Sequence, residues 1–312
     1  MFAKIAGFEL RYQLRNPVFW VTFAIFFLLT FAATTVDQIQ IGSGGNTHKN
    51  APYAIVQIHL IWTLFFMFVT TAFVANVIVR DDETGFGPIV RTTRITRGNY
   101  LFGRFTGAYL AALLAFLSVP LGIFVGSWMP WVDPETLGPN RLADYLFAFF
   151  LIAAPNILLT SALFFALATV TRSMMATYVG VVAFVILYTI TTVVLGKLPQ
   201  YEVPLAYGEP LGFGAFDLAT KYWTANERNT ITPPITGVFL WNKAIWMAIA
   251  AASRPRPACG ADPAGVRPGA AQPGLHRTDG AGPVQRDGRA AQPRRPVRDR
   301  GDPGHAGRRR HA

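Results

Sequence analysis

Charge is scarce in this chain. Only 14% of its 312 residues are Asp, Glu, Lys or Arg, and 52% are hydrophobic. Soluble domains carry about a quarter charged residues, so long apolar runs with so little charge point to a membrane protein. Cysteine is nearly absent too. The one cysteine, Cys259, excludes an intrachain disulfide and leaves the redox compartment undetermined. Catalytic signatures are missing. Gly196-Lys197 is followed by Leu198 and has no upstream glycine at P-loop spacing, so ATP cannot bind by that route. Neither HExxH nor GxSxG occurs. Of the histidines, only His59 falls within a long apolar run, and it has no ligand cluster around it. An enzyme is not expected, and no cofactor or metal site is called for.

The net charge of +11 suggests nucleic acid until it is divided. Residues 1–252 hold 15 Lys and Arg against 12 Asp and Glu, a net of +3. Residues 253–312 hold 13 Arg against 5 Asp, a net of +8. The basic character belongs mostly to the tail, and no nucleic-acid partner is expected.

What is present is a series of apolar runs. A helix needs about 20 apolar residues to cross the hydrocarbon core. Five runs qualify: Pro17–Val36, Ile55–Val79, Leu101–Trp128, Tyr145–Val170 and Met175–Leu195. A sixth begins near Ile235 and reaches about Ala252. The first is too long for a signal-peptide core and ends without a cleavage pattern. The expected fold is an all-α integral membrane protein with an N-terminal interfacial helix and five to six transmembrane helices. Residues 17–252 form its membrane domain.

Lys and Arg near the span ends favour a cytoplasmic N-terminus. Lys4, Arg11, Arg15, Arg80, Arg91, Arg94, Arg97, Arg104 and Arg172 then lie inside; the longer outer loops hold fewer. Trp128 and Trp131 fall at the outer interface. The expected location is a bacterial inner membrane. In residues 1–16, Lys4, Arg11 and Arg15 share one helical stripe, flanked by Ile5, Phe8 and Tyr12 on one side and Leu10 and Leu14 on the other. This suits a helix at the inner interface with its cations among headgroups; the alternative is a plain positive-inside anchor.

Two polar sites lie within spans: Asn76, and Pro155-Asn156, where proline frees a carbonyl and can kink the helix. They could line a translocation path or bind helix to helix. The loop Gly196–Pro234 is long, and Asp217–Trp223 reads as one short helix. Asn242 and Lys243 interrupt the sixth run. If the helix starts near Trp241, Lys243 snorkels outward but the helix is half a span. If it starts at Ile235, Lys243 sits mid-membrane at a cost of about 3 kcal/mol. From Ser253 the chain lacks Phe, Tyr, Trp, Ile, Met, Lys and Asn and is dominated by Arg, Ala, Gly and Pro. Such a segment cannot form a core and is expected to be disordered, either as a natural basic tail or as the product of a frameshift in a GC-rich gene.

The stretch Arg80–Phe105 carries an ordered pattern. Asp81, Asp82 and Glu83 suit the positive end of a short helix, with Arg91 and Arg94 at the far end. Gly85, Gly87 and Pro88 allow a turn, and Asn99 is placed to cap the third span. Its residues Glu83, Gly85, Thr92, Thr93, Thr96-Arg97, Tyr100-Leu101 and Gly103-Arg104 resemble the cytoplasmic loop of ABC-2 type transporter permeases. That resemblance implies a coupling helix seated on a separate ABC ATPase subunit, and a second permease half or a homodimer to complete the pore. Asp217 to Trp246, with YWTANERNT, is similar to the first membrane half of bacterial permeases fused to a zinc aminopeptidase-like domain. No peptidase residue has a matching position here. The rival readings are a membrane scaffold without transport and a non-functional truncation of a longer permease.

Overall fold

The computed structural model describes residues 1–83 and 96–252. No strand occurs among them. The helices are α1 (Phe2–Arg15), α2 (Pro17–Thr35), α3 (Pro52–Glu83), α4 (Arg97–Phe116), α5 (Ser118–Gly126), α6 (Leu142–Phe147), α7 (Ala154–Thr171), α8 (Met174–Leu195), α9 (Glu202–Gly208), α10 (Phe213–Thr220), α11 (Ala225–Thr230) and α12 (Gly237–Ala252). Residues Ala148–Ala153 form a π-helical segment between α6 and α7.

Five stretches are long and apolar enough to cross a membrane: Pro17–Thr35, Pro52–Arg80, Gly98–Gly126, Leu142–Thr171 and Met174–Leu195. Helix α12 has 16 residues, about 24 Å at 1.5 Å per residue, which is short of a 30 Å core. The chain is an all-α membrane protein. The 253–312 tail and its expected disorder lie outside the described residues, as do Gly85, Thr92 and the rest of 84–95.

Why each span has its shape can be read locally. Proline at position 17 suits the first turn of α2, where its missing N–H is not needed, and the Asn16 side chain accepts from the Val18 N–H. The third span breaks at Leu117 between α4 and α5. Pro120 explains the break, because its ring opposes the carbonyl four residues back. In the fourth span the π turn directly precedes Pro155, which is how a helix absorbs a residue that cannot donate. Buried threonines in the spans need no outside partner. Thr30, Thr34, Thr70, Thr71 and Thr160 each donate to the carbonyl one turn back. His59 does likewise: its Nδ1 lies 2.7 Å from the Ile55 carbonyl, so that nitrogen is the donor.

The core is an aromatic column through the first four spans. Phe26 meets Phe66 edge-on at 5.1 Å, Phe66 meets Phe116 at 5.1 Å, and Phe116 meets Phe149 at 6.4 Å. Such pairs add about 1 kcal/mol each beyond contact area. Glycines at a four-residue spacing bring the backbones close. A Cβ on Gly122 would come within 2.9 Å of the Phe27 carbonyl, and one on Gly126 within 2.9 Å of Thr34 Cβ. Only a bare backbone lets α5 approach α2 this closely. The fifth span differs from the others, since α8 buries only Thr177 and Val181.

At the end of the bundle remote from α1, the loop 196–236 holds three short helices, α9, α10 and α11. The single helix expected at Asp217–Trp223 is instead α10, which stops at Thr220. The TANE sequence that follows is a capping box: Thr224 accepts from the Glu227 N–H, and Glu227 accepts from the Thr224 N–H at 2.7 Å. That reciprocal pair starts α11 and holds the Glu227 carboxyl below its usual range. The next residues fasten neighbouring loops. Asn229 accepts from the His48 N–H and donates to the Asn46 carbonyl. Arg228 stacks over the Tyr53 ring at 4.8 Å.

Candidate functional site

Two charge-bearing clusters stand out from an apolar bundle. The first lies where α1 meets the helices on either side of residues 84–95. Glu9 is fully buried. Its carboxylate accepts from Arg80 Nη2 at 3.0 Å and pairs with Arg104 Nη1 at 3.3 Å. Arg80 belongs to the last turn of α3, and Arg104 to the second turn of α4. One carboxylate therefore holds the helix that leads into the 84–95 segment and the helix that leads out. Gln13, one turn on, donates to Glu9 Oε1 at 3.0 Å and to the Phe73 carbonyl at 3.3 Å. Arg104 also donates to the Val77 carbonyl at 3.2 Å. Tyr12 stacks under the Arg80 guanidinium at 4.0 Å, a geometry that favours a cation.

Glycine makes this approach possible. A Cβ on Gly107 would lie 2.5 Å from the Ala6 carbonyl and 2.7 Å from Glu9 Cβ. One on Gly103 would meet Ile5 at 3.0 Å and the Phe2 carbonyl at 3.2 Å. Each turn of α4 thus matches a turn of α1, and the buried face of α1 is Ala6, Glu9 and Gln13. Lys4, Arg11 and Arg15 are exposed, on the opposite side of the helix.

The expected loop residues are distributed as follows. Thr96, not Asn99, is the N-cap of α4; its hydroxyl accepts from the Asn99 N–H. The threonine wins because it sits one residue outside the helix in extended backbone, while Asn99 is already within the first turn. Glu83 ends α3 and Arg97 begins α4. Tyr100 stacks with Arg104 at 5.4 Å. Gly103 packs against α1, and Arg104 is buried against Glu9.

The second cluster joins α3, α7, α8 and α12 to the loop between α9 and α10. Lys243 is half-buried and donates to the Leu211 carbonyl at 2.8 Å and to Asn156 Oδ1. Asn156 in turn donates to the same carbonyl at 2.9 Å and to Thr63 at 3.3 Å. Asn242 spreads its amide hydrogens over the carbonyls of Glu209 (2.6 Å), Tyr207 (3.1 Å) and Ala206 (3.2 Å). Those carbonyls lie at or just past the end of α9, where no helical donor remains. Glu209, also buried, accepts from the Tyr188 hydroxyl at 2.8 Å and from the Gly214 N–H. Gly212 allows the turn, with φ +93° and Lys243 Nζ 3.0 Å from where a Cβ would be.

Helix α12 starts at Gly237, close to the earlier of the two expected starts, so Lys243 lies near the middle of the helix rather than at its outer end, and a folded-in loop supplies an acceptor there. Irregular backbone within a bundle needs buried donors, and Asn242-Lys243 supply them. Asn156 is fully engaged in this cluster, and Pro155 precedes it on the same helix. Asn76, on α3, is half-buried. No group of three or more His, Cys, Asp or Glu residues suited to a metal occurs among the described residues.

Residues 3–227 match the family described as ABC-2 family transporter protein. The chain belongs to that family. It is a multi-pass membrane protein with a permease-type transport role. The match covers both α1 and the paired helices around residues 84–95, and it extends through Glu227 at the capping box. Comparison with curated proteins finds no match.

Proposed function

We propose that this permease couples ATP hydrolysis on a separate ABC ATPase subunit to transport, with residues 83–104 as the contact. The supporting observation is the shared carboxylate: Arg80 before the segment and Arg104 after it are both held by Glu9. A partner pushing on the segment therefore acts on α1, α3 and α4 together, and rigid packed helices are what carry such a displacement. On this reading the N-terminus and the segment face the cytoplasm of a bacterial inner membrane, and a second permease half or a second copy completes the pathway.

Glu83, Gly85, Thr92, Thr96, Arg97 and Tyr100 form the docking region, with Gly103 and Arg104 anchoring it to α1. Asn156 serves as a fastening between helices rather than an open polar lining, since its amide is committed to Thr63, Leu211 and Lys243. Pro155 and Asn76 are left as the candidates for a translocation path.

Arg97→Glu tests the contact. The variant is expected to insert and fold normally while losing stimulation of the co-purified ATPase. Unchanged stimulation removes residue 97 from the interface. A wild-type chain that never co-purifies with an ATPase favours a scaffold.

A further inference from the structure

The fifth span is held more lightly than the rest of the bundle. Helix α8 buries only Thr177 and Val181. One stripe of it, with Phe184, Val185 and Tyr188, packs on Met67, Phe164 and Leu211. Its Thr177 and Thr192 hydroxyls donate to carbonyls one turn back. Among the described residues, a single side-chain hydrogen bond leaves α8 for another element: the Tyr188 hydroxyl donates to Glu209 Oε1 at 2.8 Å. We propose that this contact latches the fifth span to the 196–236 loop, and that Asp217 sets the strength of the latch according to the acidity at that end of the bundle. The latch stands whether or not an ATPase couples to the chain.

Glu209 is well fixed as the acceptor. It is 3% exposed, and its Oε2 accepts from the Gly214 N–H. Its own carbonyl accepts from Asn242 at 2.6 Å. Side chain and backbone are both tied, so Tyr188 meets a carboxylate held in one place. A hydroxyl bond to an ionised carboxylate is about twice as strong as one to a neutral acceptor. The strength of the latch therefore depends on how firmly the 209–217 turn presents that carboxylate.

Asp217 acts on this turn. It lies three residues beyond Gly214 on α10, on the same helical face. The residue is exposed, so protons reach it. Its carboxyl is pushed up to about 6, first by the protein that desolvates it and second by the charge of Glu209. The folded value stands above the unfolded one. Its stabilising contribution is therefore present below the unfolded pKa and is lost as pH rises through about 6. Above that pH two carboxylates face each other, and their repulsion strains the turn that offers Glu209 to Tyr188. The other charged and titratable groups around the pair are engaged elsewhere. Lys243 faces Glu209 from α12 but donates to the Leu211 carbonyl and Asn156. Tyr53 faces Asp217 from α3, with Arg228 stacked over its ring. Lys221, one turn on along α10, is paired with Glu202.

The test uses the full chain with Cys259→Ser in nanodiscs, with nitroxides at Val194→Cys on α8 and Leu142→Cys on α6, both exposed. Pulsed electron resonance reads the distance between them. A narrow distribution at about pH 5 is expected to widen about twofold at about pH 7.5. Asp217→Asn should stay narrow at both values, and Tyr188→Phe should be wide at both. In the unlabelled chain, exchange of the Gly214 amide, corrected for its intrinsic pH dependence, should quicken over the same interval, and Asp217→Asn should remove the change. That second reading decides the matter should Tyr188→Phe fail to insert. A distribution that ignores pH in the parent chain overturns the proposal. So does a pH response that survives Asp217→Asn, or a narrow distribution in Tyr188→Phe.

Discussion

The Glu9 cluster and the Lys243 cluster handle the same difficulty in opposite ways. Around Glu9, one carboxylate meets two guanidiniums at 3.0 and 3.3 Å. Around Lys243, the ammonium meets a carbonyl and a side-chain amide. Charge answers charge directly in the first; in the second the ammonium rests on neutral dipoles, while the buried Glu209 carboxyl is engaged by Tyr188 and Gly214. The first joins three helix ends next to the 84–95 segment, where a partner's push would arrive. The second ties a folded-in loop to α12 and three spans. A charge pair is costly to break from one side, because the remaining charge is left buried. Dipoles can be exchanged for others at less cost.

This contrast predicts an order of effects. Glu9→Leu should be the most damaging substitution, at about 3–5 kcal/mol, because it removes the one buried carboxylate that meets both Arg80 and Arg104. Thermal unfolding in detergent reads it, and Glu9→Asp should recover part of the loss. Gly107→Val comes next. Its side chain would run into the Ala6 carbonyl 2.5 Å from the Cβ position, and overpacking of this kind costs about 1–3 kcal/mol. Protease sensitivity of α1 should rise while the far loops stay protected.

Lys243→Met should cost less than Glu9→Leu, about 1–2 kcal/mol, since Asn156 still donates to the Leu211 carbonyl. Hydrogen exchange should quicken at residues 206–214 and nowhere near α1. If Lys243→Met proved the more harmful of the two, the contrast between the clusters would fail. The smallest effect concerns pH. The Glu227 carboxyl is held below its usual range by the Thr224 N–H and hydroxyl. Its contribution is therefore present above the unfolded carboxylate pKa and lost as pH falls through the lower folded value. Exchange in α11 should quicken on acidification into that range, and Glu227→Gln should flatten the response.

The sequence revealed the spans because apolar runs of the right length leave little freedom. It also revealed that Asn242-Lys243 was anomalous, without showing why. The partners are the Leu211 and Glu209 carbonyls, more than 30 residues away on a loop with no periodic pattern. Glu9 went unrecognised for a related reason. Its partners are 71 and 95 residues distant, and the Lys4, Arg11 and Arg15 stripe marks the opposite face of the helix. A signal was present: Glu9 and Gln13 are one turn apart, on the side away from the cations. Gly103 and Gly107 share the same four-residue spacing, so the α1–α4 contact was also written there. Asn99 was a reasonable cap by type, but Thr96 holds the extended backbone that a cap requires.

If the proposed coupling holds, α1 and the start of α4 move as one body under a partner's load. Spin labels at Phe8→Cys and Thr96→Cys, in a Cys259→Ser chain reconstituted with the proposed ATPase subunit, measure this by pulsed electron resonance. Both positions are exposed. One narrow distance is expected, the same with and without trapped nucleotide, and it should broaden in Glu9→Gln. A nucleotide-dependent change in the Glu9 chain, or an unaltered distribution in Glu9→Gln, would contradict it.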